Sequence, residues 1–433
     1  MQRTRLPSIL IACLTLIVIP RLVAAQITPY EDGWVEEALH ALPDFESSVA
    51  ARVLADPEAY RLQVLVAEID VPASGSPRLI RHGLRVGSAY FYPASAIKLC
   101  AAIAAVQQLE RLASTPQPGG APPIAITLNT PLRFEPILDN EPIRELDPTN
   151  DTEGPAKGRV TLGHEIRKLF IVSDNEAFNR LFDFVGRDAL NSMMWDAGLA
   201  SVRVRHRLDV PRTDVRNTQS PEIVVARDDQ SVTRIPRRTA RLPLPPNRGV
   251  GLRVGVAHLA SGQRVDEPLS FADENAISLV HLQDCLVKLV RPDVRLTSPP
   301  FRISDEHRVF ILEAMRETPR ESVNPRYDPD TYPDDYAKFI LPGVRRATGD
   351  DRVEIRSKSG IAYGFVTENA HVIDPQSGRA FVVTATIYAN SDGVLNDDAY
   401  DYDTIALPFM AELGEAITRR LLVANEDQPA PAD

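Results

Sequence analysis

At residues 95–112 the chain reads SAIKLCAAIAAVQQLERL, a stretch that is rich in Ala and Leu and mostly apolar. This composition predicts a buried helix, and Pro93 just ahead of it suits a first turn. Ser95 and Lys98 are one turn apart, so a helix brings them to the same face. Lys98 is the only charged residue between Ser95 and Gln107, and burial would favour its neutral, basic amine. The stretch therefore predicts a core helix and a serine with a base beside it, which an acyl-transfer nucleophile requires.

Two further short motifs follow along the chain. Ser173-Asp174-Asn175 comes after one predicted helix and begins another, so its serine could relay a proton and its amide could bind substrate. Lys358-Ser359-Gly360 ends a predicted strand, where a cation and a hydroxyl can receive a substrate carboxylate and the glycine allows close approach to the backbone. Each motif alone also has a structural explanation: helix capping or a solvent-reaching lysine for the first two, and an edge-strand lysine for the third.

The predicted strands fall into two groups that are far apart in the sequence. Apolar and β-branched runs predict strands at 61–69 and 79–92, and then at 353–357, 362–373 and 380–389. Helices are predicted around and between these groups, at 36–55, 161–172, 176–185, 188–197, 272–289, 304–317 and 405–421. This order predicts an α+β fold in which five strands form one antiparallel sheet with helices on its faces.

Three stretches dense in Pro, Gly, Asp and Asn interrupt this pattern, near residues 115–158, 203–260 and 318–351. We expect them to be insertions in one domain spanning 26–425, with an irregular, Arg- and Pro-rich loop at 203–248 close to the site.

The composition excludes several classes of partner. The 433 residues carry a formal net charge of −11, which argues against nucleic acid and against a polybasic membrane footprint. No Cys and His residues have zinc-ligand spacing, and His164-Glu165 lacks the second histidine of a zinc-protease helix. We therefore expect no metal and no other cofactor.

The first 25 residues have the pattern of a signal peptide. Arg3 and Arg5 precede an apolar run at 6–19, and Val23-Ala24-Ala25 fits a cleavage site. The prediction is an exported protein, periplasmic or extracellular, with a disordered tail at 426–433 and no membrane contact beyond the signal segment. An uncleaved anchor is an alternative, and residues 10–13 loosely resemble a lipoprotein cleavage box. Cleavage leaves Cys100 and Cys285, whose pairing the sequence does not decide.

Together the three motifs resemble those of the serine β-lactamase and penicillin-binding-protein superfamily, most of all class A β-lactamases, in which threonine usually stands at the position of Ser359. The segment 91–99 is similar to the family's nucleophile segment, and 160–175 to the helix that leads into its second motif. The resemblance covers most of 61–112, 160–198 and 353–389. It implies an α/β sandwich beside an all-helical lobe, with the site between them.

The resemblance also implies catalytic roles for particular residues. Ser95 would be the nucleophile, Lys98 its activating base, and Ser173 the relay of a proton to the leaving nitrogen, with Lys358 close by. The backbone N–H groups of Ser95 and Ile361 would form the oxyanion hole.

Substrate-binding roles follow from the same resemblance. Asn175 would bind the acylamide side chain of the substrate, and Lys358, Ser359 and Gly360 would lie along its other side, near the carboxylate.

One part of the class A pattern is missing. Those enzymes carry a glutamate after the second motif that activates the deacylating water, whereas this chain has no glutamate between Glu176 and Glu222. Asp209 lies at about the expected offset from Ser173, although its side chain is one methylene shorter. Asp214 is a second candidate, and Glu222 would need a rearranged loop.

The sequence thus predicts an exported serine hydrolase that opens β-lactam amides through an acyl-serine intermediate, a monomer acting on a small-molecule lactam or a peptidoglycan-derived substrate. The alternatives are a peptidoglycan D,D-peptidase, which uses the same motifs without the glutamate, and a sensor that binds such ligands without hydrolysing them.

Overall fold

The structure, a computed structural model, describes residues 30–72, 74–120, 122–226, 232–349 and 351–423. The predicted signal peptide and C-terminal tail lie outside these residues. In chain order the helices are α1 Trp34–His40, α2 Val49–Ala55, α3 Lys98–Ser114, α4 Leu162–Ile171, α5 Asn175–Val185, α6 Arg187–Asp196, α7 Leu279–Val290, α8 Asp305–Arg316, α9 Leu341–Thr348 and α10 Leu407–Thr418. None of the described helices is long and apolar enough to cross a lipid bilayer.

The strands are mostly short outside one large sheet. In chain order they are β1 Gln63–Asp70, β2 Arg78–Leu84, β3 Leu132–Phe134, β4 Gln219–Ser220, β5 Ile223–Ala226, β6 Val232–Ile235, β7 Arg238–Thr239, β8 Arg253–Val254, β9 Ala257–Ala260, β10 Gln263–Val265, β11 Leu269–Ser270, β12 Glu354–Ser357, β13 Gly360–Ala362, β14 Phe365–Ile373, β15 Ala380–Tyr388 and β16 Val394–Leu395.

The large sheet is antiparallel throughout, as predicted, and it joins the two distant strand groups. Its order is β12, β14, β15, β1, β2, with β13 beside β12 on the edge of β14. The prediction of five strands is corrected to six, because the edge strand breaks at Lys358 and Ser359. β12 pairs with one half of β14, with Glu354 opposite Ile373, and β13 pairs with the other half.

One face of this sheet is covered by helices from the two ends of the described chain. Side chains of β1, β14 and β15 pack with Phe409 and Met410 of α10, and α1, α2 and α9 complete this layer. α9 and α10 cross very closely at Gly343, where a side chain would overlap the carbonyl oxygen of Ala411. The layer is an ordinary apolar core, and burying its side chains supplies much of the free energy that holds the helices on the sheet.

The opposite face packs against α7 and, beyond it, an all-helical lobe of α3, α4, α5, α6 and α8. Leu282 and Leu286 of α7 share a continuous core with the lobe and with Val382 of the sheet. α3 runs through the middle of this core, with most of its side chains buried. The sheet with its helices and the separate helical lobe confirm the predicted fold class.

The predicted insertions contain more regular structure than expected. The stretch at 203–260 holds β4 to β9, so the predicted long loop is a set of short strand pairs, and β5 also pairs with β3 in the stretch at 115–158. The stretch at 318–351 contains α9. Pro342 and Gly343 read as helix breakers in the sequence, but proline is tolerated in a first turn and the glycine is needed for the close crossing with α10.

The two cysteines in the described residues lie between α3 and α7. Cys100 and Cys285 are free thiols and both are buried. The Cys285 thiol forms a hydrogen bond with Cys100, and burial raises its pKa well above the usual value. Both cysteines therefore act as small side chains of the core.

Candidate active site

Ser95 lies in a 3₁₀ turn, Ala94–Ile97, that leads directly into α3. Ala94 has a left-handed backbone, with φ of 46°, which turns the chain sharply into the helix. Ser95 is half-buried and lines two cavities, of about 670 and 830 Å³, that meet at this residue. The turn therefore presents the hydroxyl to solvent-accessible space at the start of a helix, where backbone N–H groups favour developing negative charge.

Lys98 is fully buried one turn further on, as the sequence predicted. Its Nζ donates to Asn175 Oδ1 at 2.5 Å, to the backbone oxygen of Ser173, and to Ser173 Oγ at 3.3 Å. Burial lowers the pKa of Lys98 to about 7, while the charges of Asp174 and Asp209 act in the opposite direction. An amine with such a pKa exists in both protonation states near neutral pH, which suits a group that takes up and returns a proton.

The second motif links the two lysines of the site. Ser173 has a left-handed backbone, with φ of 59°, at the turn between α4 and α5. Its Oγ accepts a hydrogen bond from Lys358 Nζ at 2.8 Å and lies 3.3 Å from Lys98 Nζ. Asp174 caps α5 by accepting from the Ala177 N–H at 2.8 Å, so it holds the turn. Only the aspartate of this motif is occupied by capping.

The third motif lies at the break between β12 and β13. Lys358 is fully buried, and its Nζ also donates to the backbone oxygen of Ser359 at 2.7 Å. Burial, and then the nearby charge of Lys98, lowers the pKa of Lys358 well below its usual value. Ser359 is buried too, and its hydroxyl donates to the carbonyl oxygen of Ala337 at 2.9 Å. The structure thus places Lys358 against Ser173, and it gives Ser359 a protein partner that the sequence did not predict.

Gly360 brings the edge strand against the turn that carries Ser95. A Cβ at this position would lie 2.6 Å from the backbone nitrogens of Ser95 and Ala96 and 2.5 Å from the carbonyl oxygen of Pro93. Real Cβ atoms do not approach backbone so closely, so only glycine allows β13 to lie here. The following residue, Ile361, lines the same two cavities as Ser95. The arrangement is compatible with an oxyanion hole made by the N–H groups of Ser95 and Ile361.

A buried ionic cluster supports the second motif from behind, and sequence reasoning missed it. Lys168 Nζ lies 2.8 Å from Asp147 Oδ2 and 3.6 Å from Asp174, while Arg180 lies 2.8 Å from Glu165 and 3.2 Å from Asp147. Asp147 comes from the insertion at 115–158, so this insertion is part of the support of the site. The i, i+3 spacing of Glu165 and Lys168 on α4 was visible in the sequence, but the contribution of Asp147 was not.

The three candidates for a deacylating base lie in different surroundings. Asp209 lines the larger cavity together with Ser95, and it accepts a hydrogen bond from Asn175 Nδ2 at 2.5 Å. Asp214 is occupied by capping the turn at 215–218 and by an ion pair with Arg216. Glu222 pairs with Arg234 beside the short sheet of the insertion. Of the three, only Asp209 lines a cavity together with Ser95.

The loop that carries Asp209 is held by several buried polar contacts. Asn179 of α5 accepts from the Leu208 N–H at 2.9 Å and donates to its carbonyl oxygen at 2.9 Å. The guanidinium of Arg207 forms a buried ion pair with Asp183, also on α5. These contacts fix the backbone that leads into Asp209, whose side chain is exposed.

The larger cavity also contains a buried acid that sequence reasoning did not single out. Glu274 is buried, and its carboxylate lies 2.7 Å from His206 Nε2 and 3.0 Å from Arg212 Nε. No local motif marks Glu274, because its partners are far away in the sequence. Among the described residues, no cluster of three or more His, Cys, Asp or Glu side chains could hold a metal ion.

Comparison with known proteins agrees with this geometry over part of the chain. Residues 133–240 match a family model described as the β-lactamase enzyme family. The matched stretch includes the second motif and Asp209, and it confirms the resemblance to the β-lactamase superfamily predicted from the sequence. No curated protein matches the chain.

Similar solved structures include a β-lactamase from Burkholderia ambifaria, with 15% identity, a TM-score of 0.44, and coverage of 86% of this chain and 97% of that one. A β-lactamase from Desulfarculus baarsii DSM 2075 has 14% identity and a TM-score of 0.46, with 86% and 96% of the two chains covered. A point mutant of PBP-A, in an acyl-enzyme complex with penicillin G, has 14% identity and a TM-score of 0.44, with 86% and 94% covered.

Proposed function

We propose that this chain is an exported serine hydrolase of the β-lactamase type, which opens cyclic amides through an acyl intermediate on Ser95. The observation that carries the proposal is the convergence of two buried lysines on one hydroxyl. Lys358 Nζ lies 2.8 Å and Lys98 Nζ 3.3 Å from Ser173 Oγ, and Ser173 and Ser95 line the same cavity. Among the described residues, neither lysine forms an ion pair with a carboxylate. Burial of an amine without such a partner is costly, and a proton-transfer role accounts for it.

In the proposed acylation step Ser95 Oγ attacks the amide carbonyl carbon while neutral Lys98 takes the hydroxyl proton. The negative charge on the former carbonyl oxygen is held by the N–H groups of Ser95 and Ile361. Collapse of this intermediate breaks the C–N bond, and the leaving nitrogen takes the Ser173 proton. Lys98, now protonated, restores that proton through the chain of contacts that joins it to Ser173.

The first test is acylation itself. Mature protein is incubated with a chromogenic cephalosporin, and both the released product and the protein mass are followed. We expect an adduct on Ser95 and turnover of the substrate. Ser95→Ala should abolish the adduct, while Ser114→Ala, at the far end of the same helix, should leave it unchanged. Absence of any adduct in the wild-type protein would contradict the proposal.

The release step is proposed to use Asp209 as the base that activates water. Asp209→Asn should lengthen the lifetime of the adduct by about 10²-fold or more while changing its formation much less. The matched control is Asp214→Asn, which removes a carboxylate from the same loop outside the cavity and should leave the lifetime unchanged. Equal lifetimes in the wild type and Asp209→Asn would remove Asp209 from the mechanism.

A second candidate function is that of a peptidoglycan D,D-peptidase. The surroundings of Asp209 favour it. The Asp209 side chain is shorter than the missing glutamate, and its carboxylate already accepts a hydrogen bond from Asn175. A stoichiometric burst followed by a stable adduct, together with cleavage of a D-Ala-D-Ala peptide, would support it over the first proposal. A ligand that binds equally to the wild type and to Ser95→Ala without a covalent product would support the non-hydrolysing sensor instead.

Export and a monomeric state complete the proposal. The basic and apolar pattern of the first 25 residues supports export with cleavage near Ala25. Mass spectrometry of the protein recovered from a secreting host tests the cleavage site. Light scattering of the mature protein tests the monomer, and a stable dimer mass would contradict it.

A further inference from the structure

The polar groups of the third motif are covered by another part of the chain, the stretch at 333–339, here called the covering segment. The carbonyl oxygen of Ala337 in this segment accepts from Ser359 Oγ at 2.9 Å and from Ser357 Oγ at 3.4 Å. Lys358 is directed to Ser173 and to the backbone oxygen of Ser359. The hydroxyl and the ammonium that could receive a substrate carboxylate are therefore both buried and both have protein partners.

The covering segment also forms one wall of the 670 Å³ cavity beside the third motif. Many of the side chains around this cavity are apolar: Val172, Phe339, Pro342, Leu407, Pro408 and Ala411. Tyr336 of the covering segment is 44% exposed, and its ring packs edge-on against Tyr332 with centroids 4.9 Å apart. The cavity thus offers an apolar and aromatic surface on the side where a substrate would otherwise present its carboxylate.

The ionisable side chains on this cavity wall are acidic. Asp335 and Asp403 line it, and the described residues that line it include no lysine or arginine. No hydrogen bond or ion pair of either carboxylate is found within the described residues. An anionic substituent here would meet two negative charges and an apolar surface, and both effects disfavour it. Burial lowers the pKa of Lys358, which weakens the positive charge of this lysine behind the wall.

We propose that the covering segment makes the site selective for acyl substrates whose substituent on the third-motif side is uncharged and apolar, and that it disfavours a carboxylate there. This inference rests on the proposed function, because it concerns the substrate of the same nucleophile. Asp335 and Tyr336 are specificity residues in this arrangement: the first repels the anion and the second contacts the apolar group.

The test compares penicillin G with its methyl ester, which differ only at that substituent: a carboxylate in the first and a neutral, slightly larger ester in the second. The second-order rate of adduct formation on Ser95 is measured by intact-protein mass spectrometry. Each rate is divided by the alkaline hydrolysis rate of the same compound, because esterification itself changes the reactivity of the lactam. We expect the corrected rate to be at least tenfold higher for the ester.

Variants without the two carboxylates test whether these charges cause the preference for the ester. In the double variant Asp335→Asn, Asp403→Asn, the ratio of the ester's corrected acylation rate to that of the acid should fall severalfold. The fall should come mainly from faster acylation by the acid. Asp305→Asn, an exposed aspartate at the start of α8, is the control and should leave the ratio unchanged. A corrected rate that is equal or higher for the acid overturns the inference while acylation stands. Absence of an adduct with both compounds instead overturns the proposed function.

Discussion

Burial and hydrogen bonding shift the pKa of the Lys98 amine in opposite directions. Burial removes the ammonium from water and lowers its pKa to about 7, while three oxygen acceptors and the charges of Asp174 and Asp209 favour the protonated form. The base of the proposed reaction is the neutral amine. We therefore predict that the acylation rate rises with pH through an inflection near 7 and then becomes constant.

The measurement is the rate of adduct formation on Ser95 between about pH 5.5 and 9, with a lactam that is stable over this range. Lys98→Ala should slow acylation by about 10²- to 10⁴-fold and remove the inflection. Persistence of the same inflection in the variant would assign it to another group. A wild-type rate that still rises steeply above pH 9 would show that the amine keeps an ordinary lysine pKa.

Gly360 supplies the second prediction at the scale of a single residue. A methyl group there would lie within 2.6 Å of the Ser95 and Ala96 nitrogens, so Gly360→Ala must push β13 away from the nucleophile turn. Displacement of one proposed oxyanion donor should lower the acylation rate by about 10²-fold. Gly378→Ala, in the loop between β14 and β15, meets no atom near the new Cβ but strains a left-handed backbone with φ of 70°. It is the control for a strained glycine change outside the two cavities and should leave the rate unchanged. An unaltered rate in Gly360→Ala would show that the contact with the turn is not needed.

At the scale of elements, the ionic cluster around Asp147 connects an insertion to α4 and α5. Asp147→Asn keeps the size of the side chain but leaves Lys168 and Arg180 with one carboxylate fewer. Removal of one partner from a buried ionic group usually lowers the free energy of unfolding by about 3 kcal/mol, and we predict a loss of that order here. Urea unfolding curves measure it, with the exposed Glu153→Gln in the same insertion as the control.

This loss should itself depend on pH. Desolvation opposes ionisation of Asp147, but hydrogen bonds from Lys168 and Thr149 prevail and hold its pKa well below the usual range. A lowered carboxyl pKa gives stability that is full above the pKa of the unfolded chain and is lost as the pH falls below it. The difference in the free energy of unfolding between the wild type and Asp147→Asn should therefore become smaller below about pH 4. A difference that grows in acid would contradict the ion-pair explanation.

Helices and strands with a clear hydrophobic pattern were predicted at the right places in the sequence. Their first and last residues were not predicted accurately. The hydrophobic pattern gave the buried helix from Lys98 and the paired strands β14 and β15, whose residues face the core on both sides. β2 ends at Leu84 instead of residue 92 because Arg85 adopts a left-handed backbone with φ of 55°. α7 begins at Leu279, after the Ser278 cap, because the preceding residues pair in extended form with Arg203.

In the candidate site, too, local motifs could be predicted and contacts between distant segments could not. Ser95, Lys98 and the second motif could be predicted because each motif is local and its chemistry depends on residue types at fixed spacing. The covering of Ser359 by Ala337 could not, because that contact joins an irregular segment to the edge of a sheet and leaves no periodic signal. The contribution of Asp147 was missed for the same reason, since a single acid in a loop gives no sign of its distant partners.

For the whole molecule, three buried lysines around the cleft dominate the expected response to alkaline pH. Lys98, Lys338 and Lys358 are all buried, and burial lowers the pKa of each, to about 7 for Lys98 and to about 8 for Lys338. In the unfolded chain the pKa of such a lysine returns to 10.5. Between the two values the unfolded chain holds a proton that the folded chain has released, so the free energy of unfolding rises with pH.

Lys338 allows this to be tested outside the proposed catalytic groups. Its Nζ donates to the backbone oxygens of Met315 and Ile355, below the sheet edge that carries the third motif. One such lysine contributes up to about 1.4 kcal/mol per pH unit, so the free energy of unfolding should increase by at least that amount between pH 8 and 9.

Lys338→Met should reduce the slope of the free energy of unfolding against pH by the contribution of one lysine, whereas Lys157→Met, at an exposed position, should leave this slope unchanged. Urea unfolding at closely spaced pH values measures the slopes. A free energy of unfolding that falls between pH 8 and 9 in the wild type, or an identical slope in Lys338→Met, would show that these lysines remain charged in the folded protein.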